Sequence, residues 1–141
     1  MAKFGCFKNG YISIAGVDMS DHCTEFTVDE GQEELKNDTH GGVMANVIPG
    51  LGTWTLKAKF LQDFAAGSIH FTLRNAKESY LPVAMYYRAS QGAVSATNPM
   101  YSGSAYVMSY TGFGGAHGVN LMADVTLRPA SSLPLVEILT P

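Results

Sequence analysis

Charge is what this sequence has least of. Asp, Glu, Lys and Arg make up 15% of its 141 residues, against roughly 25% in ordinary soluble domains. A chain so poor in charge either hides more surface than a monomer can, or keeps a polar Gly/Ser-type surface. Cysteine is also scarce. Cys6 and Cys23 are the only two, with no CxxC spacing, which speaks against a disulfide framework or a zinc site. The reading is two reduced thiols in a protein made in a cytoplasm, with a Cys6–Cys23 bridge as the alternative. No apolar run approaches the ~18 residues of a spanning helix, and MAKFGCFKNG has no apolar signal core after its lysine. Nothing here argues for export or membrane insertion. The length fits a single domain over residues 1–141.

What charge there is lies unevenly. Asp18, Asp21, Glu25, Asp29, Glu30, Glu33, Glu34 and Asp38 face only Lys36, so residues 18–38 carry −7 of a chain whose total is −3. The remainder is therefore net positive. A molecule polarised in this way is able to meet a copy of itself head to tail; the simpler alternative is a solvated acidic loop.

Strong helix formers are spread thinly, and short alternating stretches dominate, which points to a mainly β protein. GYISIAG reads as a first strand and HCTEFTVD as a second, with Phe26 and Val28 on one face and Glu25, Thr27 and Asp29 on the other. TWTLKAKF alternates most cleanly. Trp54, Leu56, Ala58 and Phe60 form an apolar face opposite Thr55, Lys57 and Lys59, as in a sheet buried on one side. AAGSIHFTLRNAKES is the one helix expected, with Ser68 as N-cap and Ile69, Thr72, Leu73 and Ala76 at helical spacing. Pro82 sets the strand YLPVAMYYR at an edge or a strand start. Two long strands between residues 99 and 128 are joined by a glycine-rich turn at 112–118, and LPLVEILT forms a last strand or a C-terminal arm over 129–141. The fold class is a β-sandwich or barrel-like subunit with one packed α-helix and a long projecting loop or hairpin. Phe26, Val28, Trp54, Leu56, Phe60 and Leu73 are its expected core.

The projection is DEGQEELKNDTHGGVMANVIPGLG, residues 29–52. Its front is too charged for a core, and it is too long for a connection, since loops usually run to about 4–6 residues. QEELKND and GGVMANVIPG read as two arms meeting at a flexible tip around residues 38–42. An isolated two-stranded hairpin is marginal in water, so this one is expected to be ordered on a neighbouring molecule.

Catalytic chemistry is hard to find. His22, His40, His70 and His117 have no second ligand at i+2 or i+4 and read as satisfied surface or turn histidines. Ser20, Asp21 and His22 are adjacent in sequence and do not form a relay, and no GxSxG is present. Glu33 and Glu34 point opposite ways on a strand and make a poor acid/base pair. GFGGAHG fails the dinucleotide register at His117 and joins strand to strand. Tyr101, Tyr106, Tyr110 and Phe113 lack the basic stripe that nucleic-acid stacking needs, and alternating core and interface positions explain them better. The expectation is a protein without catalytic activity, metal or cofactor.

Several stretches, taken in order, resemble the tail tube (major tail) proteins of long-tailed, non-contractile bacteriophages. GYISIAGVDMSDHCTEFTVD resembles the family's opening passage, and QEELKNDT followed by VIPGLGTWTLKAKFLQD resembles its acidic loop, I-P-G-L turn and Trp-bearing strand. NPMYSGSAYVMSY and GFGGAHG resemble its late strand and glycine-rich turn, so that the likeness runs over most of residues 10–128. The resemblance implies a structural subunit of the virion tail, made in the bacterial host cytoplasm. It assembles into hexameric rings that stack as a hollow tube for DNA delivery. Tail terminator, tail tip and tape measure proteins are the implied partners, and DNA passes through without specific binding. The loop over residues 30–49 is then the element that packs on the adjacent ring, with Glu30, Gln32, Glu33, Glu34, Lys36, Asp38, Thr39, His40, Val47, Ile48 and Pro49 as its contact residues. Glu25, Thr27 and Asp29 are lumen candidates, while Lys57 and Lys59 place positive charge on the next strand's polar face. The inner tube of a contractile tail or injection device is the nearest alternative, and a monomeric ligand-binding β-sandwich is the alternative from another class.

Overall fold

The computed structural model describes residues 10–37, 39–130 and 135–140. Cys6, Asp38 and residues 131–134 and 141 of the C-terminal arm lie outside the described residues. Among the described residues eight strands and one helix follow in the order β1 (Tyr11–Ile14), β2 (Val17–Asp18), β3 (Cys23–Lys36), β4 (Val47–Leu61), α1 (Ile69–Ser79), β5 (Val83–Arg88), β6 (Met100–Gly114), β7 (Met122–Pro129) and β8 (Val136–Ile138). All pair antiparallel in one sheet of order β2-β1-β5-β6-β7-β4-β3, and β8 returns to pair with β6. The turn-like VDMSD contributes a two-residue strand, because Ala15 and Gly16 at φ 56° and 81° reverse the chain tightly enough to pair Ile14 with Val17.

One sheet makes both walls of the core by curling over. Phe26 on β3 meets Tyr87 on β5 edge to face at 6.2 Å although three strands separate them in the sheet. Ile12, Ile14, Trp54, Leu56, Phe60, Met85, Val107, Val125 and Leu127 fill the space between, and Phe26 and Val28 pack against them half-buried. Within the curl the Trp54 indole lies against Gly103. A Cβ there would sit 2.8 Å from the Leu135 side chain and 3.4 Å from the indole, so a larger residue would have to displace Leu135.

Helix α1 seals one opening of this roll with Ile69, His70, Leu73 and Ala76 buried. Ser68 occupies the N-cap position with extended backbone but makes no side-chain cap. Its hydroxyl instead donates to Asp63 at 2.7 Å, while Asp63 also accepts the Ala65 N–H at 2.9 Å. These donors, the backbone one foremost, hold the Asp63 carboxyl below its usual range. β6 continues through Gly112 to Gly114, so the glycine-rich turn starts later than its glycines suggest. Cys23 is a free thiol, and burial pushes it up to about 11, against a partial offset from a backbone hydrogen bond at Glu25.

Candidate assembly interface

β3 and β4 are each other's partners along their whole length, from Cys23 opposite Phe60 to Lys36 opposite Val47. The stretch 29–52 is therefore the distal half of this pair. It is not a separate hairpin inserted between strands partnered elsewhere. β7 flanks β4 only from Leu56 to Leu61. Beyond Leu56, β4 has β3 as its sheet neighbour, and past the buried Trp54 the pair overhangs the body by about 20 Å from Thr53 to Val47 at ~3.3 Å per residue. The second arm starts at Val47, so Gly41, Gly42, Val43 and Met44 belong to the tip, with the Asn37 N–H on Asn46 O at 2.8 Å closing its base.

The overhang has its own local design. The register shifts between Gln32 and Glu34, and Pro49 sits opposite Glu34 at that bulge, where a strand tolerates the missing N–H. Gly50 follows because a Cβ there would come within 3.2 Å of Glu33 and Leu35. Around this bulge the surface is apolar as well as acidic. Val43 is 99% exposed, Met44 87% and Leu51 82%, and Leu35, Val47 and Ile48 are about half exposed. Gln32, Glu33, Glu34, Lys36, Thr39 and His40 are exposed beside them. Glu30 stands apart at the root of the overhang. Its charge reaches the Tyr87–Tyr101 pair, which stack at 5.5 Å; burial first, and Glu30 after it for Tyr87, push both phenols up.

A second surface is the outward face of β3, β4, β7 and β6. Reading the register across it, Glu25 lies opposite Lys59 and Lys59 opposite Asp124, while Thr27 lies opposite Lys57 and Lys57 opposite Thr126. Asp29 faces Thr55, whose hydroxyl accepts from Arg128 at 2.8 Å. The two lysines thus share the face of Glu25, Thr27 and Asp29, and alternate with acids. With Asp124 and Arg128 the face holds three acids and three bases amid threonines.

The third surface lies at the other end of β4, where the chain leaves Leu61. Gln62 reaches across to β6, donating from Nε2 to the Tyr110 hydroxyl at 2.9 Å and to Gly112 O at 2.6 Å. His70 Nδ1 is 2.9 Å from the same hydroxyl. His70 is thus a buried helix residue and not the surface or turn histidine its sequence suggested. Phe64, Phe71 and Phe113 ring it at centroid distances of 4.9, 5.3 and 6.2 Å, yet all three remain substantially exposed, Phe113 by 71%. Sequence reasoning missed this group, since its members come from residues 62–71 and 110–113. Nearby, His22 Nε2 lies 3.2 Å from Asp63. Among the described residues no group of three or more His, Cys, Asp or Glu is placed to hold a metal ion, and no helix is long and apolar enough to cross a membrane.

No protein-family model and no curated protein matches the sequence. Solved structures do match in fold. A chain from the virion of a native gene transfer agent particle superposes with a TM-score of 0.70 at 12% identity, over 97% of this chain and 99% of that one. A chain from the tail of an empty gene transfer agent particle, refined with helical and C6 symmetry, gives 0.67 at 11% identity over 99% and 100%. The SPP1 tail tube gives 0.68 at 9% identity over 92% of this chain and 74% of that one. The fold of this chain is that of these virion and tail tube chains, over essentially its full length.

Proposed function

We propose that this chain is a structural subunit of a hollow viral tail tube, forming six-membered rings that stack into a conduit for DNA. The observation that carries the reading is the extent of the likeness. The gene transfer agent chain is matched over 97% of this one, so the overhanging hairpin cannot fall outside the shared fold. Physical features point the same way. A β3 edge 14 residues long is a liability unless a neighbour pairs with it, and exposed Val43, Met44 and Leu51 call for cover. The overhang at residues 30–49 is the element that reaches the adjacent ring, with Gln32, Glu33, Glu34, Lys36, Thr39, His40, Val47, Ile48 and Pro49 at that contact. The balanced face bearing Glu25, Thr27 and Asp29 lines the lumen. Lys59 lies between Glu25 and Asp124 in the register and Lys57 between Thr27 and Thr126, so acids and threonines interrupt the bases and no continuous basic stripe is left to hold phosphate. Tail terminator, tail tip and tape measure proteins would complete the assembly, and the chain itself performs no catalysis.

Negative-stain electron microscopy of the concentrated protein at several salt levels tests the reading. Hollow tubes with a regular axial repeat are expected. Monomers that persist at every concentration, and even when mixed with tail-tip assemblies, would overturn it.

A further inference from the structure

Two of the exposed apolar surfaces stand at opposite ends of β4. Val43 and Met44 sit at the tip of the overhang beyond Val47. Phe64, Phe71 and Phe113 sit beyond the other end of the same strand, where Leu61 pairs with Met122 and the chain turns into α1. The full length of β4 separates the two, about 46 Å for its 14 residue steps. A rigid antiparallel pair of that length cannot bring its tip to the aromatic pole of its own chain. It can do so only on another copy.

We propose that the aromatic pole formed by Phe64, Phe71 and Phe113 is the receptor for the hairpin tip of a second copy, which inserts Val43 and Met44 against it. The proposal rests on the tube reading and names the surface that reading leaves open. Three features single out this occupant. Both surfaces are apolar, and the tip's methionine is the side chain that best adapts to a ring cluster, through sulfur–aromatic contact. The receptor is held in place from below, because Gln62 and His70 both bind the Tyr110 hydroxyl and fix loop, helix and β6 to one another. The contact is also between unlike surfaces displaced along one axis. It repeats by translation and does not close on itself, which is the symmetry of a column and not of a dimer.

The test uses two full-length variants, each with Cys6→Ser and Cys23→Ala, one adding Met44→Cys and the other Phe113→Cys. They are mixed under assembly conditions and treated with a short bis-maleimide, with Lys57→Cys in place of Phe113→Cys as the control for an unrelated exposed position. The mixed pair is expected to yield cross-linked dimer at about tenfold or more above the control, the contrast a well-packed contact site produces. Tubes in the microscope with cross-linking no better than the control would overturn the receptor and leave the tube reading standing. Cross-linking without tubes would uphold the receptor and remove the tube reading. Neither tubes nor cross-links would overturn both. Phe113→Glu gives an independent readout on an exposed side chain: the concentration needed for assembly should rise about tenfold while the melting temperature holds, and an unchanged assembly concentration would count against the receptor.

Discussion

β4 is one strand with two halves that share a backbone geometry and little else. From Trp54 to Phe60 every second side chain is buried, while from Val47 to Thr53 none is. The first set packs under β7 and the curled sheet; the second has β3 as its one strand partner, with the Arg128 guanidinium reaching only Thr53 at its root. The inner half is paired with a strand on each side and packed on one face, whereas the outer half is paired with β3 alone, so the difference shows what a second sheet partner and packing contribute together. A two-stranded ladder holds its shape when it is continuous with a folded sheet, though it would be marginal alone. The body holds the buried core, and the overhang carries exposed surface that is left for contact if the tube reading holds.

The largest expected effect follows from that division. Removing residues 32–46 should abolish assembly while leaving the melting temperature within about 3 °C of the intact chain, since the deleted groups bury nothing in the body. Thermal melts and microscopy on the same sample check it. A deletion variant that still forms tubes would move the interface elsewhere, and one that fails to fold would erase the distinction between the halves. Trp54→Ala is the reverse experiment. It should destabilise the subunit by about 3–5 kcal/mol, as truncation of large core aromatics does. Ile48→Ala, six residues away on the same strand, should change stability by no more than about 0.5 kcal/mol. Chemical denaturation of the pair measures the contrast directly.

The buried half of β4 was legible in the sequence residue by residue, whereas the exposed half was legible only as an arm of a projecting hairpin, without its register or its continuity with the body strands. Trp54, Leu56, Ala58 and Phe60 alternate because one side of the strand faces a core, and that period survives any detail of the fold. In the overhang no core imposes a period. Glu33 falls at a bulge, Pro49 and Gly50 accommodate it, and the pattern shows two arms without showing their pairing register. The same limit hid the end of β6. Gly112 and Gly114 look like turn residues, yet both lie within β6, and at Gly112 a Cβ would crowd the Tyr110 ring at 3.1 Å, a strand reason for glycine rather than a turn one. His70 read as an ordinary polar residue because the tyrosine that binds it lies 40 positions along the chain.

A smaller effect separates charge from shape in the overhang. Glu33→Lys with Glu34→Lys reverses the acidic arm without touching the body, where neither side chain is buried. Folding should be unchanged, and assembly should become strongly salt-dependent or be lost, because exposed charges are screened within a Debye length of about 10 Å at 0.1 M salt. Light scattering across a salt series is the measurement. Indifference to salt would mean that the apolar side chains Val43, Met44, Val47 and Ile48 carry the contact alone.

The smallest effect probes the boundary between the halves through thiol chemistry. Cys23 sits at the body end of β3, half-buried, with its thiol pushed from 9.0 up to about 11 mainly by burial. That two-unit rise leaves about 100-fold less thiolate near pH 8 than an unperturbed cysteine would have, and the thiolate is the reactive form. In a Cys6→Ser background, Cys23 should therefore react slowly with a maleimide or iodoacetamide. A cysteine introduced in the overhang by Leu51→Cys should react at close to the rate of a free thiol. The stability linkage has a definite sign. The unfolded thiol ionises first, so the stability associated with keeping Cys23 neutral is fully present below pH 9.0 and is lost as the pH climbs through about 11. Comparable labelling rates for Cys23 and Leu51→Cys would mean that the β3 end of the body opens as readily as the overhang, and the two halves of the β3–β4 pair would no longer differ in the way their burial implies.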